Sequence, residues 1–241
     1  MPTVPKNQVR ELYAELRFRL AQDPLFTGSG SLDTLDGLMA KLPDTVEQLF
    51  GDTLSGDADA YRYAGVLLCG ELVRRFAAHE VYTHDTGLAV DDGEVLFFGG
   101  DLRVGGNLVL GDKAIVVVAG DAEIEGSIVG GEGASLLGVA GAVTAGNVMT
   151  RGELLAGQRV TVQDVAYFSG NGCSALAPAL RARVLVENKR LNTFSKVNAD
   201  DQLAELTADH LARAAALLGV GQVDTVVELE QALRSRLTAS S

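Results

Sequence analysis

The sequence predicts a mixed α and β protein: a central parallel β-solenoid of about five coils, about 20 residues per coil, flanked by N- and C-terminal helical segments. Three observations predict it. First, residues 82 to 186 written in rows of twenty align in columns. One column is Leu88, Leu108, Ile128, Val148 and Phe168, another Leu96, Val116, Leu136, Ala156 and Leu176, and a third Tyr82, Leu102, Ala122, Ala142, Val162 and Ala182. Gly106, Gly126 and Gly146 form one more, followed by Asn107, Ser127 and Asn147. A fixed period of this size marks a repeat whose units bury their apolar faces only by stacking. Second, the repeats are rich in valine and glycine and alternate without a helical period, so each coil consists of short strands. Third, helical apolar spacing is confined to the two ends. The expected segments are 1–80 helical, 81–197 solenoid and 198–241 a helical cap.

The helices are read from their faces and stops. Val9, Leu12, Tyr13, Leu16 and Leu20 share one face, and Asp23-Pro24 ends that segment. Ser31 is placed to cap a second helix carrying Leu32, Leu35, Met39 and Leu42. Asp44 and Glu47 give a capping-box-like start to a third with Val46, Leu49 and Phe50. A fourth runs from Asp59 to Glu80 through Tyr61, Ala64, Leu68, Leu72 and Phe76. Within the solenoid, glycines such as Gly105, Gly106, Gly130 and Gly131 mark the corners, and regularity decays after residue 150, where Asp164 and Gln158 fall in apolar columns. From Asn198 the helical pattern is expected to return, with Leu203, Leu206, Ala214 and Leu217 on one face and Asp224 capping a last helix through Val226, Leu229, Leu233 and Leu237. Such helices would cover the end coils, whose unpaired backbone otherwise recruits other chains.

Composition narrows the function classes. A net charge of −12 disfavours binding to a phosphate backbone and suits a basic partner. Met1-Pro-Thr-Val-Pro-Lys lacks the apolar core of a signal peptide, the two cysteines lie far apart, and no apolar run approaches a membrane span, so a reduced cytoplasmic chain without a membrane partner is expected. The charges are unevenly placed. Residues 85 to 132 carry ten acidic residues against Arg103 and Lys113, whereas residues 181 to 196 carry Arg181, Arg183, Lys189, Arg190 and Lys196 against Glu187. The twenty-residue register stacks Asp101 on Asp121 and Asp112 on Glu132, and such like-charged neighbours need solvent or a partner to compensate them. Asp101, Asp112, Asp121, Glu123 and Glu132 are therefore the candidate partner-binding residues. The competing reading is that they decorate solvated corners.

Catalytic patterns are scarce. His79 and His84 are five apart, whereas metalloprotease helix ligands are four apart, and residues 100 to 186 contain no histidine for a zinc site between coils. Cys173, in Ser169-Gly170-Asn171-Gly172-Cys173-Ser174, would need a histidine from outside the solenoid, and Cys69 reads as core. Gly100-Asp101-Leu102-Arg103-Val104-Gly105-Gly106 lacks dinucleotide-binding spacing, and Lys113 lacks a phosphate-loop context. Glu123 and Glu125 share one side of a strand, a conceivable acid/base pair without a visible cleft. No cofactor, metal or catalytic residue is expected.

Gly100-Asp101-Leu102-Arg103-Val104-Gly105-Gly106-Asn107-Leu108 and Gly120-Asp121-Ala122-Glu123-Ile124-Glu125-Gly126-Ser127-Ile128 resemble bactofilins, the polymer-forming bacterial cytoskeletal β-solenoids. They also resemble solenoid proteins encoded beside polymorphic-toxin genes, where an immunity role is inferred. The resemblance implies the solenoid and transfers no functional residues. Bactofilin solenoids have short tails and polymerise end to end, whereas helices are expected at both ends here. The leading expectation is thus a non-catalytic immunity protein that neutralises a basic toxin domain through an acidic face. The alternative is a bactofilin-type structural homo-oligomer.

Overall fold

The computed structural model describes residues 6–22, 31–42, 59–76, 78–131, 133–170, 175–188 and 192–239. Helices α1 (Lys6–Leu20), α2 (Ser31–Ala40) and α3 (Asp59–Phe76) precede the strands. The first coil is β1 (Val81–His84), β2 (Gly87–Val90) and β3 (Val95–Phe98), and the next is β4 (Asp101–Val104), β5 (Asn107–Leu110) and β6 (Ile115–Val118). Then come β7 (Ala122–Val129), β8 (Leu136–Val139), β9 (Val143–Thr150), β10 (Glu153–Ala156), β11 (Arg159–Val162), β12 (Val165–Ser169), β13 (Ala175–Asn188) and β14 (Thr193–Leu203). Helices α4 (Leu211–Leu217) and α5 (Val226–Ala239) follow. The helix expected over Asp44 to Phe50 lies outside the described residues.

All strand pairs are parallel and form a solenoid of about six turns. Three ladders rise along it. The first contains β1, β4, the first half of β7, the first half of β9, β11 and the middle of β13. The second contains β2, β5, the remaining halves of β7 and β9, β12 and the end of β13. The third contains β3, β6, β8, β10 and the start of β13. The long β14 lies on β13 across all three. Residues 198 to 203 therefore extend a strand where a helix was expected: Leu203 sits opposite Val186, and backbone pairing with β13 overrides the local apolar spacing.

The register corrects the sequence columns from the third coil on. Tyr82, Leu102 and Ala122 align as expected, but the column continues through Val143, Val160 and Leu180 rather than Ala142, Val162 and Ala182. Val116 sits under Leu137 and Leu154, not Leu136 and Ala156, and Val148 sits under Ala166, not Phe168. The corner between the second and third ladders causes most of this. It is long at residues 130–135 and contracts to Arg151-Gly152 one coil later. Asp164 and Gln158 are accordingly corner residues, and the interior columns pass through Val162 and Ala156. Strand residues keep their alternation while the loops change length, because only the strands must match the layers above and below.

The interior is a dry column of small and branched side chains, including Leu102, Val104, Leu108, Leu110, Val116 and Val118 from one coil. Two of the three outer faces are also apolar and are covered by helices. Val117, Leu136, Leu155 and Leu176 of the third ladder share a buried cluster with Leu12, Leu16, Leu35, Val66, Leu68 and Cys69, in which α3 packs on β8 and β10 and α1 and α2 pack on α3. Val129, Met149, Val165, Tyr167, Val184 and Val186 of the second ladder pack on Leu211, Leu218, Leu229, Leu233 and Leu237. The helices thus lie along the sides of the solenoid instead of across its ends, which corrects the expectation of end caps. Apolar outward rows decide this, since each is the largest surface a helix stripe can bury.

Particular contacts seat the helices. A Cβ on Gly70 would lie 2.1 Å from Cβ of Ala140, and one on Gly138 would lie 2.8 Å from Val66, so the missing side chains let α3 approach the sheet closely. Arg62 of α3 pairs with Glu153 of β10 at 2.7 Å. Within the N-terminal helices, Arg17 and the Tyr13 hydroxyl both donate to Asp36, holding its carboxyl below the usual range. On the other side, Glu230 of α5 is 7% exposed and accepts from Arg151 and, at 2.8 Å, from the Tyr167 hydroxyl. Burial alone would raise its pKa, but these donors outweigh it and hold the carboxyl low. The last helix is capped by Thr225, whose hydroxyl accepts from the Glu228 amide at 3.1 Å, so the cap lies one residue beyond Asp224.

Two outcomes follow for stability. Gly70→Val should cost about 1–3 kcal/mol through overpacking, whereas Gly37→Ala, with open space around it, should be neutral or slightly stabilising, both read by thermal denaturation. Glu230→Ala should cost about 1.5–3 kcal/mol by removing the carboxylate to which the Arg151 guanidinium and the Tyr167 hydroxyl donate. Because the folded pKa of Glu230 is depressed, its contribution is complete above the ordinary glutamate pKa and is lost as pH falls through the folded value. Glu230→Gln should flatten that acid limb in urea titrations at successive pH values.

Candidate interaction surfaces

The five candidate acids occupy two corners and one face. Asp101 and Asp121 stand at the corner between the third and first ladders, and Asp112 at the corner between the second and third. Glu123 projects outward from the first ladder, and Glu132 lies outside the described residues. The third ladder and its helical cover separate the two corners, so these acids are not brought together in one patch.

The corner aspartates bond to the backbone of the coil that follows. Asp92 accepts from the Asp112 amide at 2.8 Å, and Asp112 accepts from the Gly133 amide at 2.8 Å. On the other corner Asp101 accepts from the Asp121 amide at 2.9 Å, and Asp121 from the Ala142 amide at 2.8 Å. A corner cannot continue the strand ladder, so its amides need another acceptor, and a short carboxylate one coil away supplies it. This is the compensation that the stacked like charges required. The polar column beneath α5 does the same with neutral groups. Asn107 accepts from the Ser127 amide at 2.7 Å and donates to the Leu237 carbonyl at 3.1 Å, tying the ladder to the last helix.

The outer face of the first ladder has no helix over it among the described residues. Its central outward column is Thr83, Arg103, Glu123, Thr144, Thr161, Arg181 and Asn198. Beside it stand Asp85 and Glu125 on the early coils, and Arg159, Arg183 and Lys196 on the later ones, all exposed. Arg103 lies 3.5 Å from Glu123, and Arg183 pairs with Asp164 at 2.6 Å. The uneven charge of the sequence thus becomes an acidic lower half and a basic upper half on one face. Sequence reasoning omitted Arg159 from that basic set, although its place one coil below Ala179 and two below Lys196 would have shown it once the shortened corner was recognised.

The solenoid ends are the third surface. Among the described residues, β1, β2 and β3 each pair on one side only, and β14 pairs only with β13. Tyr82, Leu88 and Leu96, the inward residues of the first coil, are partly exposed, whereas Leu102, Leu108 and Val116 directly above them are buried. Val95 is 61% exposed, and Val197, which continues an interior column past Leu180, is 39% exposed.

A groove of about 540 Å³ lies between α1, α3 and the small corner residues Gly99, Gly120, Ala140 and Gly157. Within it His79 lies 3.0 Å from Asp101, and Glu71 pairs with Arg19 and Arg74. His84 instead points inward, edge-on to Phe98. Among the described residues no cluster of histidine, cysteine and acidic side chains could hold a metal. Cys69 is fully buried, which pushes its thiol pKa well up, and Cys173 lies outside the described residues. No helix of the described residues is long and apolar enough to cross a membrane.

A structural role for the corner aspartates has a measurable signature. Asp121→Asn keeps an acceptor for the Ala142 amide and should be nearly neutral, whereas Asp121→Ala should cost about 1–2 kcal/mol in denaturant unfolding. No protein-family model, curated protein or solved structure matches this chain.

Proposed function

We propose that the protein is a non-catalytic scaffold that assembles end to end through its solenoid, in the manner of the bactofilins its coils resemble. The observation that carries this reading is that no helix among the described residues covers either solenoid end. One presents partly exposed Tyr82, Leu88 and Leu96 with a one-sided row of strands, and the other presents β14 with Val197 exposed. Helical caps would have argued against such joining, and the helices lie on the sides instead. Stacking one solenoid on another continues the backbone ladders and buries both apolar end layers, the same interactions that join successive coils.

A second reading is favoured by the acidic half of the open face. Asp85, Asp121, Glu123 and Glu125 are exposed there and would suit a basic protein, of which a toxin domain neutralised by an immunity protein is the concrete case. That reading needs a partner encoded elsewhere and predicts a discrete complex instead of a polymer.

Val95→Pro separates the two. The carbonyls of Glu94 and Phe98 accept from Ile115 and Ala119, so the intervening Val95 backbone turns toward the outer edge of the first coil. Proline there leaves the internal ladder intact and blocks addition of another solenoid. Electron microscopy and light scattering should show particles of the native chain that lengthen with concentration, and only short species for Val95→Pro. Native chains that stay single at all concentrations would remove the assembly reading.

A further inference from the structure

We infer that the open face of the first ladder docks on the same face of a second copy of this chain, with the two solenoids antiparallel about a two-fold axis near Thr144. This sideways pairing is separate from end-to-end joining. It identifies the basic partner of the acidic coils as the basic coils of another copy.

The outward residues along the face give the argument. The rows on β1, β4 and the start of β7 carry Asp85, Asp101, Asp121, Glu123 and Glu125 against Arg103. The rows on β11, β13 and β14 carry Arg159, Arg181, Arg183 and Lys196 against Asp200. Between them the β9 row is Ala142, Thr144 and Gly146, small and uncharged. A two-fold axis through that row sets the Asp121, Glu123 and Glu125 row of one copy against the Arg159 row of the other. It also sets the Asp101 and Arg103 row, which carries no net charge, against Arg181 and Arg183, so the attraction is carried by the Asp121, Glu123 and Glu125 row. Every contact occurs twice, as an isologous interface requires. A parallel arrangement would instead place acid on acid and base on base.

Of these charges, Asp101 and Asp121 accept corner amides, Glu123 lies beside Arg103 and Arg183 pairs with Asp164, which leaves the remainder available for the contact. Glu125, Arg159, Arg181 and Lys196 make no ion pair or side-chain hydrogen bond with another described residue. The small β9 row lets the sheets approach at its centre, where long side chains would hold them apart. Seven strand levels and four-residue strands give a face roughly 29 Å by 13 Å. That is about half the area per partner of a standard interface, so the pairing is weak, salt-sensitive and governed by charge complementarity.

Sedimentation equilibrium at high protein concentration tests this in the Val95→Pro chain, where end joining is blocked. A dimer is expected at low salt, weakened at least about tenfold by 0.5 M salt. Arg159→Glu/Arg181→Glu makes the face predominantly acidic, with Arg103, Arg183 and Lys196 its remaining bases, and Glu123→Arg/Glu125→Arg makes it largely basic. Each variant alone should be monomeric, and an equimolar mixture should restore the dimer, which also demonstrates that both fold. Orientation is read with a bismaleimide spanning about 10 Å, the usual separation of packed sheets, on variants with one added cysteine in a Cys173→Ser background, where the native Cys69 is fully buried. Thr144→Cys should cross-link to itself, and Thr83→Cys to Asn198→Cys. No dimer at low salt, a dimer unchanged by both reversals, a mixture that stays monomeric, or Thr83→Cys linking to itself would each overturn the inference. End joining is read separately, from the length of native particles, so either can fail without the other.

Discussion

The structure depends on one constraint: a coil of this size cannot enclose its own apolar row and must bury it between the coils above and below. Leu102, Leu108 and Val116 are inaccessible because Tyr82, Leu88 and Leu96 lie beneath them and Ala122, Ile128 and Leu137 above. Parallel strands in a common register are the arrangement that lets successive coils do this while pairing their backbones. The corners must then turn within the spacing of one strand. Carboxylates one coil away accept the amides that the turn leaves over, which is why the aspartates stack despite their charge.

The same constraint has no solution at the ends. A first and a last coil each lack one neighbour, so the layer that would be core elsewhere is partly exposed, and the backbone edge beside it is unpaired among the described residues. A helix laid across such an end would end the problem. Here the helices are drawn to the sides by the apolar outward rows of the second and third ladders, and buried polar contacts such as Glu230 with Tyr167 and Arg151 fix the seat of α5. The ends and the first ladder are left as the surfaces through which the molecule can meet others. Both readings of function, the polymer and the partner complex, arise from this division of covered and uncovered surface.

Electrostatics on the open face follows from geometry and charge order together. A chain that begins its solenoid acidic and finishes it basic would distribute those charges around the circumference if the strands were irregular. The register of the first ladder gathers part of them on one face, while Asp91, Asp92, Glu94 and Asp112 stand at another corner, and the uncharged Ala142, Thr144 and Gly146 row lies between the halves of that face. On that face charge therefore varies along the solenoid axis, the pattern that distinguishes an antiparallel neighbour from a parallel one.

The sequence by itself determined the solenoid, its coil length and the helical segments at both ends, because stacking imposes a period on the interior residues that survives in the letters. It also placed Cys69 in the core and the early glycine column correctly. Tertiary structure decided what depends on loop length and on contacts distant in sequence. The register past residue 130 turns on how many residues a corner holds, which strand periodicity does not record. Residues 198 to 203 became a strand because β13 offered a partner edge, although their spacing also fits a helix. The helices lie along the sides because the outward rows of two ladders are apolar, a property visible only once the register is known. For the same reason the acids of the sequence separated into corner aspartates that hold the backbone and face residues that remain available to a partner.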